Sequence, residues 1–260
     1  MTSLDTGTEL LVVEIEDGVA EVTINNERKR NALARPILDA LPRTLLALHD
    51  DSRVRVIVLR GAGDKAFASG ADISELGDTG ALRQSAEDVI EAFRLIDKPM
   101  LAMIHGFCIG AGLLVALQAD IRVAADDSQF GVPVARLGLA YPFEGVQRLV
   151  ALTGPAVAAE MLMSSRLYDA AEALRIGLVN RVVTVSELHE ATFGLARMIA
   201  DNAPLAVAAS RTAIAQALLD SGERDVARVV EQIDHCFRSA DAREGQVAYA
   251  ERRVPKFLGR

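Results

Sequence analysis

Residues 100–119, MLAMIHGFCIGAGLLVALQA, constrain the fold more than any other stretch. The run is uncharged and long enough to cross a bilayer. It nevertheless holds His105 and Gln118, is broken by Gly106, Gly110 and Gly112, and follows Asp97-Lys98-Pro99. These interruptions favour a buried strand, a glycine turn and a buried helix starting near Ala111 over a membrane span. A strand and a helix that are both apolar throughout need cover on every side, which places them at the centre of a layered α/β core. With 260 residues, half of them hydrophobic, the chain can supply one large domain or a domain with a helical appendix.

The flanking patterns extend that core. ELLVVEIE (9–16) and VAEVTIN (19–25) enclose Asp17-Gly18, a two-residue hairpin signal. RKRNALARPILDALPRTLLALHDD (28–51) has the spacing of an amphipathic helix, with Pro36 near its first turn and Pro42 expected to kink or divide it. VRVIVLRG (54–61) reads as a fully buried strand, followed by a loop, GAGDKAFASGADISEL (61–76), and a polar helix over 80–97. IRVAADD and SQFGV are short strands. Beyond Glu144 the pattern is helical, with helices expected at 155–164, 170–176, 186–202, 204–220, 223–239 and 241–252, broken by LVNRVV (178–183). The simplest organisation is an α/β core over 1–190 followed by a helical region over 191–260.

Net charge is −8, with 28 basic against 36 acidic residues, which argues against a general nucleic-acid binder. The two cysteines, Cys108 and Cys236, make no disulfide framework, and MTSLDTGTEL lacks the basic flank and apolar stretch of a secretory signal. A cytoplasmic location is therefore expected. His49, His105, His189 and His235 lie far apart and show no metal-ligand spacing, so no metal is expected.

Nucleotide-binding motifs fail on inspection. GAGDKA (61–66) follows a buried strand but runs on into a loop where a dinucleotide site needs a helix, and Lys65 lacks the neighbours of a phosphate loop. Cys108 has no evident partner base, and Ser69 no nucleophile elbow. What remains is a pair of backbone features. SGAD (69–72) and GAGL (110–113) each put small residues where the chain enters a helix, whose first N–H groups lack internal partners. Facing each other, two such turns would form either a pocket of donors for an oxyanion or two ordinary tight turns.

Those stretches, in that order, resemble the crotonase superfamily, also called the enoyl-CoA hydratase/isomerase family. The likeness spans nearly the whole chain: NNERKRNAL (25–33), RVIVLRGAGDKAFASGADISEL (55–76), residues 98–141, ALRIGLVNRVV (173–183) and AYAERRVPKF (248–257). The resemblance implies a spiral of repeated β-β-α units with C-terminal helices that assemble trimers, often paired into hexamers. It also implies an acyl-CoA substrate, with coenzyme A entering as part of that substrate and no separate cofactor. The thioester oxygen would accept bonds from the Ala71 and Ala111 N–H groups. CoA itself would lie along Arg28, Lys29 and Arg30 and the turn Ala68, Gly70, Asp72 and Ile73, with Lys256 contributing from the tail beside Arg252 and Arg253. Asp72 is expected to cap its helix, and Asp120 to be structural.

Hydratases of this family use two glutamates, at positions matching Leu114 and Val134. Methyl groups neither hold a nucleophilic water nor carry a proton. Two-glutamate hydration is therefore not expected, and three outcomes fit: decarboxylation of a malonyl-type thioester, double-bond isomerisation, or acyl-CoA binding without turnover. PVARLGLAYPFEG (133–145) resembles the corresponding stretch of methylmalonyl-CoA decarboxylases, including Tyr141. Tyr141 is a candidate catalytic group or a core aromatic. Glu144, with Val134, Leu114 and Phe143 as apolar pocket neighbours, is a candidate acid/base or a first-turn helix residue.

Overall fold

The computed structural model describes residues 2–72 and 79–260, the side chains of 79–83 and 86 excepted. The expected hairpin is present. β2 (Leu11–Glu16) and β3 (Val19–Ile24) pair antiparallel from Leu11 opposite Ile24 to Glu16 opposite Val19. Asp17 and Gly18 turn the chain with φ 49° and 81°, the double positive φ that matches strand twist in a two-residue turn. Short β1 (Thr2–Ser3) adds to the outer edge.

From β3 onward the sheet is parallel. β4 (Val56–Gly61), β6 (Met100–Ile104), β8 (Ile121–Ala125) and β11 (Arg181–Val183) complete a seven-stranded sheet in the order β1-β2-β3-β4-β6-β8-β11. Every residue of β6 is buried, as its unbroken apolar run requires. After β4, β6 and β8 the chain bends into a second sheet of short strands, which a fourth strand joins after the helix Phe143–Ser164. These are β5 (Ala66–Ala68), β7 (Phe107–Ile109), β9 (Gln129–Gly131) and β10 (Tyr168–Asp169), in the order β10-β9-β7-β5.

A helix then closes each turn: α2 (Thr79–Leu95) after β4–β5, α3 (Ala111–Gln118) after β6–β7, and α4 (Phe143–Ser164) after β8–β9. This is the expected spiral of β-β-α units. α4 starts well before residue 155 and is interrupted at Gly154, where φ is 78°.

α1 (Arg35–Asp50) begins seven residues later than its pattern suggests, because residues 27–29 form a 3-10 turn and Arg30 and Asn31 adopt positive φ. Pro42 does not divide α1. Its missing N–H forfeits one helical bond, while Leu38, Leu41, Leu45 and Leu48, each 5% exposed or less, hold the helix on the sheet.

The capping box of α5 (Ala170–Arg175) reads out in Asp169 and Glu172. α6 (Leu188–Ala200) lies on the outer face of the long sheet. There Leu188, Ala196 and Ala200 pack with Val56, Val58, Leu101 and Met103, so a division at 190/191 passes through this helix. α7 (Pro204–Ala217), α8 (Val226–Arg238) and α9 (Ala240–Glu251) form the helical C-terminal region. No helix among the described residues is long and apolar enough to cross a membrane.

Candidate active site

The first donor turn leaves β5 at Ala68. The Leu33 N–H donates to Gly70 O (2.8 Å), and the Asp72 N–H donates to Leu33 O (3.3 Å), a parallel bridge between Leu33 and Ala71. Such a bridge uses the groups of residues 70 and 72, so the N–H and carbonyl of Ala71 itself face the other way. Ser69 fastens the turn to the basic segment, its N–H donating to Arg30 O (3.0 Å) and its hydroxyl to Lys29 O (3.2 Å).

The second turn leaves β7 at Ile109. Gly110 adopts φ 53° and ψ −117°, a conformation open to glycine, and its N–H is tied to Gly131 O at 2.9 Å. α3 starts at once, with Ala111 as its first residue. Gly112 lies so close to β5 that a Cβ there would sit 2.3 Å from Ala68 O. Neither the Ala71 nor the Ala111 N–H donates to another group among the described residues. The two turns adjoin: a Cβ on Gly70 would lie 4.0 Å from the Ala111 nitrogen. Two unspent N–H groups on neighbouring turns, one of them at a helix N-terminus, can stabilise an oxyanion.

The surrounding wall is apolar. Leu114 is 6% exposed and shares its space with Tyr141, since a Cβ on Gly145 would meet both side chains at 2.8 and 2.5 Å. Val134, in the 3-10 turn Pro133–Leu137, packs against the same core as Ala111 and Tyr141. The Tyr141 hydroxyl donates to Gly110 O at 3.2 Å, and burial pushes its pKa well above the ordinary phenol value. Tyr141 is thus a proton-bearing donor, not a base. Glu144 sits half-buried in the first turn of α4, whereas Phe143 is 68% exposed. Leu137 and Leu139 are apolar and exposed on the loop between Val134 and Tyr141. Burial drives the Cys108 thiol far above its ordinary range, which removes it as a nucleophile.

The basic segment divides its tasks. Arg28 is exposed. Lys29 pairs with the buried Asp72 carboxylate at 2.5 Å, and Arg30 lies over the Phe107 ring, 5.4 Å from its centroid. Sequence reasoning missed Asn31, which is 1% exposed; its Nδ2 donates to Ala62 O (2.8 Å) and Ala66 O (2.7 Å) while its Oδ1 accepts from the Asn26 N–H (3.1 Å). An asparagine between a basic run and a helix is itself the signal, because it tolerates positive φ. Ala68 is fully buried beneath Gly112. Ile73 lies outside the described residues. Lys256 stands on the tail, where its N–H donates to Glu244 and Arg253 grips Glu244 and Glu251. No hydrogen bond or ion pair among the described residues joins Lys256 to Arg28–Arg30.

A family model described as enoyl-CoA hydratase/isomerase matches residues 14–260. The chain belongs to that family. The short-chain-enoyl-CoA hydratase of Clostridium acetobutylicum is 35% identical over 248 residues, covering 94% of this chain and 95% of that one. The carnitinyl-CoA dehydratase of Salmonella typhi is 36% identical over 251 residues, covering 93% and 95%. A crystal structure of an enoyl-CoA hydratase/carnithine racemase from Magnetospirillum magneticum superposes with a TM-score of 0.90 at 31% identity, covering 97% of both chains. Family and spiral fold are therefore as the sequence resemblance implied.

Proposed function

We propose that this member of the enoyl-CoA hydratase/isomerase family acts on an acyl-CoA thioester through its enolate. Isomerase- or decarboxylase-type chemistry is favoured over two-glutamate hydration. The observation that carries this reading is the pairing of two unspent N–H groups, Ala71 and Ala111, with aliphatic Leu114 and Val134. The thioester oxygen accepts from both N–H groups, and negative charge that develops there is met by fixed dipoles in a site short of water.

In decarboxylation the bond from Cα to the carboxylate breaks, its electron pair moves into the enolate, carbon dioxide leaves a pocket that holds carbon better than charge, and Cα then takes a proton from solvent water to give the acyl thioester. In isomerisation Glu144 takes a proton from one carbon and returns it to another. Arg28 and Arg30 face the CoA phosphates, with Lys256 contributing from the tail. Exposed Phe237 (80%), Tyr249 (88%) and Val230 (51%) on the C-terminal helices support assembly as a homotrimer or a pair of trimers.

The names of the relatives set the competing outcome. The test is crotonyl-CoA hydration, followed by loss of enoyl-thioester absorbance, beside carbon dioxide release from malonyl-type thioesters and double-bond migration in enoyl-CoA isomers. Turnover in either of the latter with little hydration supports the proposal. Robust hydration overturns it, and tight acyl-CoA binding without any turnover marks a binding protein.

A further inference from the structure

A second cavity, of about 780 Å³, lies among the C-terminal end of α3, the start of β8, the middle of α4 and one face of α7. The oxyanion turns are at the opposite end of α3, roughly 12 Å away along an eight-residue helix. The charged residues lining the cavity are Arg122, Arg148, Arg211 and Asp120, three guanidinium groups against one carboxylate. This local excess of positive charge stands out in a chain of net charge −8.

The three arginines are not equivalent. Arg122 is 3% exposed and spends its fork on carbonyls, Nε on Leu178 O (2.7 Å) and a terminal nitrogen on Ala119 O (2.6 Å). Arg211 donates to Asp120 at 2.9 Å and also to Ile96 O. Arg148 has neither a hydrogen bond nor an ion pair with any described residue. Burial, followed by repulsion from Arg211 and Arg94, lowers its pKa, with Asp120 opposing. A guanidinium still holds its proton under such pressure, so the charge stays in place with Asp120 as its nearby counter-charge and no direct partner among the described residues. The planar fork matches two oxygens that share a negative charge.

We propose that this cavity binds a small free oxyanion, a phosphate monoester or short carboxylate, gripped by Arg148 with Arg211 beside it. The single carboxylate, Asp120, is already held by the Met100 N–H (2.8 Å) and Arg211, which leaves Arg148 for the ligand. Leu152 and Ile214 on the cavity wall accommodate a short carbon chain.

The test compares inorganic phosphate and succinate with chloride at equal ionic strength, reading melting temperature and calorimetric heat on the full chain and on Arg148→Met. Saturable binding is expected for phosphate or succinate, weakened about tenfold or more in the variant. In chloride alone, Arg148→Met melts no lower than the parent, since a desolvated, unpaired cation has been removed. If that variant fails to fold, Arg148→Lys replaces it, and weakened binding again supports the site. Absent saturable binding, or binding that survives both variants, overturns the proposal. So does a change in sedimenting mass without anion binding, which would mean that a carboxylate of a second copy fills the cavity.

Discussion

The Tyr141 hydroxyl donates to the Gly110 carbonyl across 3.2 Å, tying the loop before α4 to the residue that presents the Ala111 N–H. Gly110 O also accepts from the Leu114 N–H at 3.0 Å, so two bonds hold that peptide in place. Tyr141→Phe should cost about 1 kcal/mol of stability by denaturant unfolding. It should lower kcat about tenfold while acyl-CoA affinity changes less than twofold. Because burial raises the Tyr141 pKa, its ionisation should put no alkaline limb on the pH profile below the ordinary phenol range. An equal loss in Arg28→Ala and Tyr141→Phe binding would remove Tyr141 from the positioning role.

Gly110→Ala and Gly112→Ala should both impair the site, for different reasons. At Gly110 a Cβ has room, with Gly70 Cα 3.9 Å away, and the cost is backbone strain of about 1–3 kcal/mol. At Gly112 it would meet Ala68 O at 2.3 Å and push α3 off β5. Overpacking of this kind costs about 1–3 kcal/mol or more. Thermal melts with and without acyl-CoA read both effects, and an unaffected Gly112→Ala would mean that α3 and β5 are less closely packed.

Leu114→Glu combined with Val134→Glu should raise crotonyl-CoA hydration at least about tenfold, since each single carboxylate supplies half of a two-group proton relay. Burying a carboxylate at the 6%-exposed Leu114 should lower stability by about 1–3 kcal/mol. A parent enzyme that already hydrates as fast as the double variant would refute the assigned role of these aliphatic positions.

Asn31→Ala removes donors from Ala62 O and Ala66 O and places alanine at φ 56°. A loss of about 2 kcal/mol or more is expected. Because the same loop carries Arg28 to Arg30, KM for acyl-CoA should rise more than kcat falls. The reverse split would show that Asn31 does not support the CoA segment.

Acid sensitivity should trace in large part to Asp51 and Glu244, with Glu187 also lowered by its hydrogen bonds from Thr184. A hydrogen bond from Arg53 holds Asp51 at about 2, and one from Arg253 holds Glu244 at about 2, against ordinary values of 3.8 and 4.5. Both pKa values are depressed in the fold, so their stabilisation is present above the ordinary values and is lost as pH falls from about 5 toward 2. Unfolding midpoints across that window should decline less steeply for Asp51→Asn and Glu244→Gln. Curves parallel to the parent would place the acid sensitivity elsewhere.

Legibility in the sequence followed the range of the interactions. The hairpin at Asp17-Gly18, the buried run of β6 and the helices α6 to α9 declare themselves through turn chemistry and periodicity, which are local. Three-residue strands such as β5 and β7 have no period to read. They exist because Ala66 pairs with Phe107 and Ala68 with Cys108, residues about 40 apart in the chain. Pro42 misled because helix propensity is a weak local preference, and the buried face of α1 outweighs it.

The sequence by itself determined the α/β class, the family and the two small-residue turns, together with the absence of glutamate at 114 and 134. These are matters of residue identity and short spacing. Only the tertiary structure decided that the turns carrying the Ala71 and Ala111 N–H groups adjoin, that neither group has a partner among the described residues, that Tyr141 bonds Gly110, that Lys29 pairs with Asp72, and that Arg148 lines a cavity unpaired with any described residue. Each depends on which groups remain unspent once the backbone has folded, and that accounting closes only when distant segments have met.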